Sequence, residues 1–399
     1  MNIFKKIYCR TFQTVLKLSI PILPYREPKI IEDDTKGIPE VLRKCNCKHP
    51  MIVTDPGIKK NGITKPLEEV LSSAGIEYSM YDKVVANPTT DNVEEALCLY
   101  KKDGCDSLIG IGGGSSMDTA KAVGARLARP KKSLEKMKGI LKVWKKLPLL
   151  IAIPTTAGTG SETTLAAVIV DSKTRHKYAI NDFPLIPRYA VLDPELTRSL
   201  PKSITATTGL DALTHAIEAY IGRSTYKRTR IQAKIAVRLI FWNLEKAYND
   251  GNDMKARAMM LKASYLAGCA FTKSYVGYVH AVAHSLGGAY NTPHGLANAV
   301  LLPHVLEAYG KSIYGKLKKL AVSVGFADEF TPKEEAAKIF IDEIKKLEEK
   351  LSIPKTIEGI KTEDIPMLSR NADKEANPLY PVPVEMNAKE LEKFYYLVK

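Results

Sequence analysis

Between residues 50 and 200, short apolar runs alternate with stretches of helical spacing. Residues 51–55 read as a buried strand ending in an acid, Gly57 and Gly62 mark a turn, and residues 65–74 have helical periodicity. The order repeats, with a strand over 78–81, a loop over 87–90 and a helix over 91–102. In a third unit, residues 107–111 form a strand, 112–118 a glycine-rich turn and 119–127 an alanine-rich helix. Another apolar run, 147–153, leads into a loop dense in glycine and hydroxyls over 154–162. Residues 166–171 and 189–193 read as further strands, and 175–182 as part of a connecting hairpin. Strands alternating with helices predict a mostly parallel sheet. After Pro201 the strand signals stop. Long helical patterns cover 206–221, 226–249, 253–271, 277–289, 295–309, 311–324 and 332–351. The expected organisation is an α/β domain over 1–200 and an all-helical domain over 201–399.

Residues 2–23 are amphipathic and basic, and Pro21, Pro24 and Pro28 end the pattern. Lys17 interrupts the apolar stretch and no small-residue cleavage site follows, which argues against a signal peptide. Residues 1–34 are therefore expected to be a helical extension packed on its own domain or on a partner subunit, and a membrane surface is the lesser alternative. A length of 399 residues suggests two domains, and 45% hydrophobic with 26% charged residues is the composition of a globular protein. The net charge of +15 raises the question of nucleic acid. Lysine and arginine are nevertheless spread along the chain without a nucleic-acid motif, so no nucleic-acid partner is expected. Six cysteines make no disulfide framework in a chain of this size. Cys45, Cys47 and His49 lack a second ligand pair, so reduced thiols and a cytoplasmic location are expected.

Two stretches carry chemistry. Asp211 and His215 are four residues apart, as are His280 and His284, and on a helix each pair shares one face. With His294 they offer imidazole and carboxylate donors for one divalent ion, which could be zinc, iron, manganese or nickel. The second stretch is the strand–glycine turn–helix unit around Gly112-Gly-Gly-Ser115. This arrangement brings backbone N–H groups and a helix N-terminus onto a phosphate, although Ser115 stands where the strict dinucleotide fingerprint has its third glycine. The hydroxyls of residues 154–162 suit ribose, phosphate or amide contacts.

Four segments together resemble the iron-containing (group III) alcohol dehydrogenases. They are Gly112-Gly-Gly-Ser-Ser-Met-Asp-Thr-Ala-Lys121, Pro154-Thr-Thr-Ala-Gly-Thr-Gly-Ser-Glu162, Thr208-Gly-Leu-Asp-Ala-Leu-Thr-His215 and His280-Ala-Val-Ala-His-Ser-Leu-Gly-Gly-Ala-Tyr-Asn-Thr-Pro-His-Gly295. The resemblance runs from about residue 35 to the end. It implies a dinucleotide-binding α/β domain, an all-α metal-binding domain, and iron(II) in the cleft between them, with zinc as the alternative ion. Asp211, His215, His280 and His294 match the family's metal ligands, and His284 matches its non-ligand histidine near nicotinamide and substrate. Asp55 matches the acid at the adenosine ribose. Asn87, Gly113, Gly114, Ser115, Asp118, Thr155, Thr156, Thr164, Lys177 and Leu196 match positions around the cofactor. The implied activity is hydride transfer between NAD, rather than NADP, and a small primary alcohol or aldehyde in a homo-oligomeric enzyme. Diol or glycerol oxidation and lactaldehyde reduction are the sibling activities. The segment from Asn371 to Pro378 is a degenerate form of one that adjoins the family's substrate pocket.

Overall fold

The computed structural model describes residues 1, 3–31 and 34–399. Two compact units are present, one built from residues 24–199 and the other from residues 1–23 with 200–399. The chain starts in the second of these with helix α1 (Ile3–Ser19) and then builds the first.

The α/β unit contains β1 (Lys29–Ile30), α2 (Ile38–Lys44), β2 (Pro50–Val53), α3 (Pro56–Lys60), α4 (Lys65–Ser73) and β3 (Ser79–Tyr81). It continues with α5 (Thr90–Lys102), β4 (Ser107–Gly112), α6 (Gly114–Ala128), α7 (Leu134–Met137), β5 (Gly139–Ile140) and β6 (Leu149–Pro154). β7 (Ala166–Val170), β8 (Lys177–Asn181) and β9 (Tyr189–Ala190) complete it. Six strands form one all-parallel sheet in the order β1-β9-β6-β4-β2-β3. Its strands are apolar on both faces, as helices packed on both sides require. Met51, Val53 and Leu108 enter one core cluster, while Ile52, Ile109, Ile111 and Ile151 enter another. The expected α/β class is therefore observed. One addition to the expectation is a separate three-stranded sheet, β5-β8-β7, in which β7 and β8 pair antiparallel.

The strand order reverses between β2 and β4. From β2 the chain moves to β3 on one side, then returns to build β4, β6 and β9 on the other. Such a switch point leaves a crevice at the carboxyl ends of the two strands, where ligands of open α/β sheets bind.

The second unit is all helical, as expected. Its helices are α8 (Lys202–Ile221), α9 (Lys227–Asn249), α10 (Met254–Ser274), α11 (Tyr278–Tyr290) and α12 (His294–Tyr309), followed by α13 (Tyr314–Val324), α14 (Lys333–Lys350), α15 (Ile365–Ala376) and α16 (Ala388–Val398). α8 packs against α9, α10 and α12, and every residue from Gly209 to Ile221 is buried. A helix buried all round is a core helix, and polar groups on it need partners. Helices α15 and α16 lie beyond the last helix expected from sequence. α15 carries Pro366 in its first turn, and the stretch to α16 holds Pro378, Pro381 and Pro383, which interrupt any long periodic pattern. No helix among the described residues is long and apolar enough to cross a membrane.

Candidate active site

Three helices of the helical unit bring the candidate ligands together. Asp211, His215 and Glu218 lie at positions i, i+4 and i+7 of α8 and share its face. His280 stands in the first turn of α11, with His284 one turn on. His294 is the first residue of α12. Gly295 follows it because α12 begins hard against α8: a Cβ at Gly295 would lie 2.4 Å from the Thr207 carbonyl oxygen. Asp211 Oδ1 is 3.9 Å from His215 Nδ1, 3.7 Å from His280 Nε2 and 3.5 Å from His294 Nε2. One donor atom from each of the four residues lies within 4.8 Å of every other. Among the described residues this is the one such group. Cys45, Cys47 and His49 do not gather into another: the Cys47 thiol donates to the Cys45 carbonyl, and His49 bonds the Ser79 hydroxyl.

The imidazoles are held from behind. His280 Nδ1 is 2.6 Å from Glu218 Oε2, and the same carboxylate accepts the backbone N–H groups of Gly277 and Val279 at 2.8 and 2.9 Å. Glu218 thus fixes the His280 ring through Nδ1–H and leaves the Nε2 lone pair facing Asp211. His280 Nε2 is buried with no hydrogen-bond partner. His215 is stacked between Phe271, at 4.1 Å between centroids, and His280, at 4.4 Å. Asn298, one turn beyond His294, donates its amide to Asp211 Oδ1 at 2.7 Å and lies 3.1 Å from His294 Nε2.

Electrostatics favour a cation at this point. Burial alone would push the Asp211 carboxyl up, yet the three imidazoles hold it well below the usual carboxylate range. Burial lowers His280, but the hydrogen bond to Glu218 and the charges of Glu218 and Asp211 outweigh it and raise the group. Desolvation and the neighbouring imidazoles lower His294, against the opposing charge of Asp211. A donor set of three imidazoles and one carboxylate, buried except at His294, with an unsatisfied nitrogen facing its centre, fits a divalent transition metal.

His284 is arranged differently from His280. Its ring stacks on His294 at 5.1 Å and is 42% exposed. Its Nδ1 is 2.6 Å from Glu375 Oε1 on α15, and the Tyr380 hydroxyl donates to the same oxygen at 2.7 Å. Burial alone would raise the Glu375 carboxyl, yet His284 and these hydrogen bonds hold it below its usual value. His284 Nε2 is therefore the nitrogen left for a ligand, on the open side of the cluster.

In the α/β unit, Asp55, Gly113, Gly114, Ser115, Thr155 and Thr156 lie at the carboxyl ends of the neighbouring strands β2, β4 and β6. Gly112 has φ +142°, and a Cβ there would come within 2.6 Å of the Ser116 hydroxyl oxygen and 3.5 Å of Asp55 Oδ2, so only glycine fits the turn. Gly113 caps α6 without a side-chain hydrogen bond, leaving the first N–H groups of the helix for a ligand. The hydroxyls of Thr54, Thr155 and Thr156 are buried without partners. Unsatisfied hydroxyls beside an uncapped helix end at a switch point fit a dinucleotide.

The other expected cofactor positions are engaged within the unit. Asp118 accepts from the Ser161 hydroxyl at 2.7 Å and the Val168 N–H at 3.0 Å, and burial raises its carboxyl. Thr164 accepts from Lys121, whose buried ammonium also donates to Ser161 and to the Ala166 carbonyl; burial lowers Lys121 to about 8. Lys177 donates to Asn87 Oδ1 at 2.6 Å, and Leu196 is buried in a core cluster. Sequence reading missed Glu218, Asn298, Glu375, Tyr380, Lys121 and Thr54. Only Glu218 left a local signal, the third polar residue on the Asp211–His215 face.

Comparison with known proteins places the chain in a family. The family profile "Iron-containing alcohol dehydrogenase" matches residues 29–194, and the profile of the family's C-terminal domain matches residues 205–397. A 1,3-propanediol dehydrogenase of Citrobacter freundii is 36% identical over 385 residues, covering 95% of this chain and 99% of that one. Alcohol dehydrogenase 4 of Saccharomyces cerevisiae is 40% identical, covering 84% and 86%. Among solved structures, a 1,3-propanediol oxidoreductase superposes with a TM-score of 0.90 at 34% identity, covering 94% and 99%. A sulfoacetaldehyde reductase from Bifidobacterium kashiwanohense, solved in complex with NAD+, gives 0.83 at 27% identity, covering 94% and 99%. The chain belongs to the iron-containing alcohol dehydrogenases, a family of oxidoreductases.

Proposed function

We propose that the protein is an NAD-dependent dehydrogenase interconverting a small primary alcohol and its aldehyde, with iron(II) held by Asp211, His215, His280 and His294. The observation that carries this reading is the convergence of those four donors within 4.8 Å, with His280 locked by Glu218. When bound, the divalent ion supplies Lewis-acid polarisation of the substrate oxygen, and the nicotinamide exchanges the hydride. The chain's own residues do the rest. Glu218 and Asn298 keep the donors aimed at one point. His284, held through Nδ1 by Glu375, presents Nε2 to the substrate hydroxyl or the nicotinamide and can accept or return a proton there. Asp55, Gly113, Gly114, Ser115, Thr155 and Thr156 carry the cofactor at the switch point. Asn87, Asp118, Thr164, Lys177 and Leu196 complete its surroundings, in part through the Lys121–Ser161 network.

Diol oxidation is the second reading, favoured by the 1,3-propanediol dehydrogenase and oxidoreductase among the similar proteins. We further read the enzyme as cytoplasmic, since its six cysteines are all unjoined, as a reducing compartment keeps them, and, from the family resemblance, as a homo-oligomer. Metal analysis of anaerobically purified protein, coupled to an NADH-absorbance screen of alcohols, diols and aldehydes, tests the reading. Turnover by thoroughly metal-free protein would overturn it.

A further inference from the structure

Helix α1 packs on the helical unit through its polar side. Lys5 Nζ pairs with the Asp373 carboxylate at 2.9 Å, and Arg10 Nε with Glu385 at 2.9 Å. The Arg10 guanidinium also donates to the carbonyls of Val382 and Pro383 at 2.8 and 3.0 Å, and the buried Gln13 amide donates to Tyr380 at 2.9 Å. The opposite side is apolar and faces outward. At 100° per residue, Phe4, Ile7, Tyr8, Val15 and Leu18 form one stripe, with Phe4 79% and Leu18 72% exposed. Ile22, just past the helix, is 84% exposed. A scattered exposed leucine needs no explanation, but an apolar stripe along about 21 Å of helix, interrupted by Thr11, does.

A second observation says what chemistry covers it. α1 has four basic residues and no acid, and the first acid in the chain is Glu27. Beside its carboxyl end the Tyr226 hydroxyl bonds the Lys17 carbonyl, which sets the start of α9 against α1. Arg223, Lys227 and Arg230 are exposed there. Lys17, Arg223 and Arg230 are near enough to Lys316 that, after burial, their charge helps lower its ammonium to about 8. On the same flank Lys6 and Arg223 both act on Glu385, whose carboxylate is already engaged by Arg10. The apolar stripe thus runs beside a basic rim. A second copy of this chain would set that rim against its own cations, whereas an anionic lipid surface supplies the opposite charge.

We propose that α1 docks the protein on an anionic membrane surface, with Phe4, Ile7, Val15 and Leu18 in the headgroup–acyl boundary and Lys17, Arg223, Lys227 and Arg230 on lipid phosphates. An in-plane amphipathic helix with a polybasic neighbour provides the two signals that stable peripheral binding needs. The inference is independent of the substrate and metal reading, and dehydrogenase activity serves as the folding control.

The test is flotation of the full-length protein with phosphatidylcholine vesicles, and with vesicles containing roughly a third phosphatidylglycerol. Three variants are compared with wild type: Phe4→Ser with Leu18→Ser, Arg223→Ser with Arg230→Ser, and the exposed control Lys338→Ser. Wild type should float with the anionic vesicles only, and high salt should release it. The apolar pair should lose flotation while keeping activity. The arginine pair should bind about tenfold or more weakly, since each cation near the surface is worth about fivefold. The control should match wild type. No flotation on anionic vesicles, or flotation that the apolar pair leaves unchanged, overturns the proposal. So does a wild-type self-association, seen by sedimentation, that the apolar pair abolishes while vesicle binding is absent; that outcome would assign the stripe to a second copy.

Discussion

The helical unit and the α/β unit each build a site, by opposite means. The cluster around Asp211 is made of ionisable side chains, each oriented by a further residue: Glu218 behind His280, Asn298 beside Asp211, Glu375 behind His284. The cradle at the ends of β2, β4 and β6 is made of backbone turns and small hydroxyls, and its glycine turn is fixed by a φ of +142° at Gly112. A site of converging side chains concentrates its function in few atoms, so single substitutions should be severe there. A backbone cradle spreads binding over many weak contacts, and single side-chain changes should alter preference more than capacity.

The largest effect should come from the ligands themselves. His280→Ala removes a donor and leaves the buried Glu218 carboxylate with only its two backbone partners. We expect loss of bound metal and a fall in kcat/KM of at least about 10³-fold, the several kcal/mol that Lewis-acid polarisation supplies. A strong chelator should abolish wild-type activity, with Fe(II) restoring it better than Mg(II), because Mg(II) prefers oxygen donors in octahedral array. Metal content measured with activity decides both points.

His284→Ala should separate from its neighbour. Its ring touches the cluster only by stacking, so metal content should stay near wild type while kcat falls about 10²-fold, the lower end for a lost proton-transfer group. Metal loss equal to that of His280→Ala would make His284 a ligand. Glu218→Gln comes next. The amide keeps the shape but removes the charge that steadies His280, and about 10- to 100-fold weaker metal affinity is expected from competition with a chelator. Unchanged affinity would mean that ring stacking with His215 alone fixes His280.

These expectations also show where the sequence was readable. The Asp211–His215 and His280–His284 pairs stand out because a helix turns residue spacing into geometry. The α/β class is legible through short apolar runs set between helical stretches, and the all-helical class through periods of three to four. Glu218 is on the page of the sequence too, yet its partners lie 59 to 62 positions away, and no local pattern encodes that. Glu375 is further hidden, since it lies on a short helix followed by prolines and meets His284 across 91 positions. The glycine turn was legible because φ restricts residue type. Asp118 carried no local sign that it would turn toward Ser161 and the backbone of β7. For residues 3–19, amphipathicity gave the helix but not its orientation. The polar side faces inward because Asp373, Glu385 and the 380–383 carbonyls wait there.

The smallest and most specific effect concerns Asp55, at the crevice of the α/β unit. Its Oδ1 accepts the Ile58 N–H and caps α3, while Oδ2 lies 3.5 Å from the Ser116 hydroxyl beside the glycine turn. A carboxylate there can accept hydrogen bonds from both ribose hydroxyls of NAD. The 2′-phosphate of NADP would lose those bonds and bring like charges together. Lys59 is the nearest cation in sequence that could soften the clash, but its ammonium is held by Glu68 at 2.8 and 2.9 Å. Repulsion should therefore win, and the enzyme should prefer NAD. Asp55→Gly should narrow the preference by about 10- to 100-fold, the worth of a hydrogen bond to a charged group. Glycine is the right replacement, because at a helix N-cap it costs only a few tenths of a kcal/mol where alanine costs about 1 kcal/mol. The ratio of specificity constants for NAD and NADP, on wild type and variant with matched thermal stability, is the measurement. Equal use of both cofactors by wild type, or an unchanged ratio in the variant, would show that Asp55 serves α3 alone.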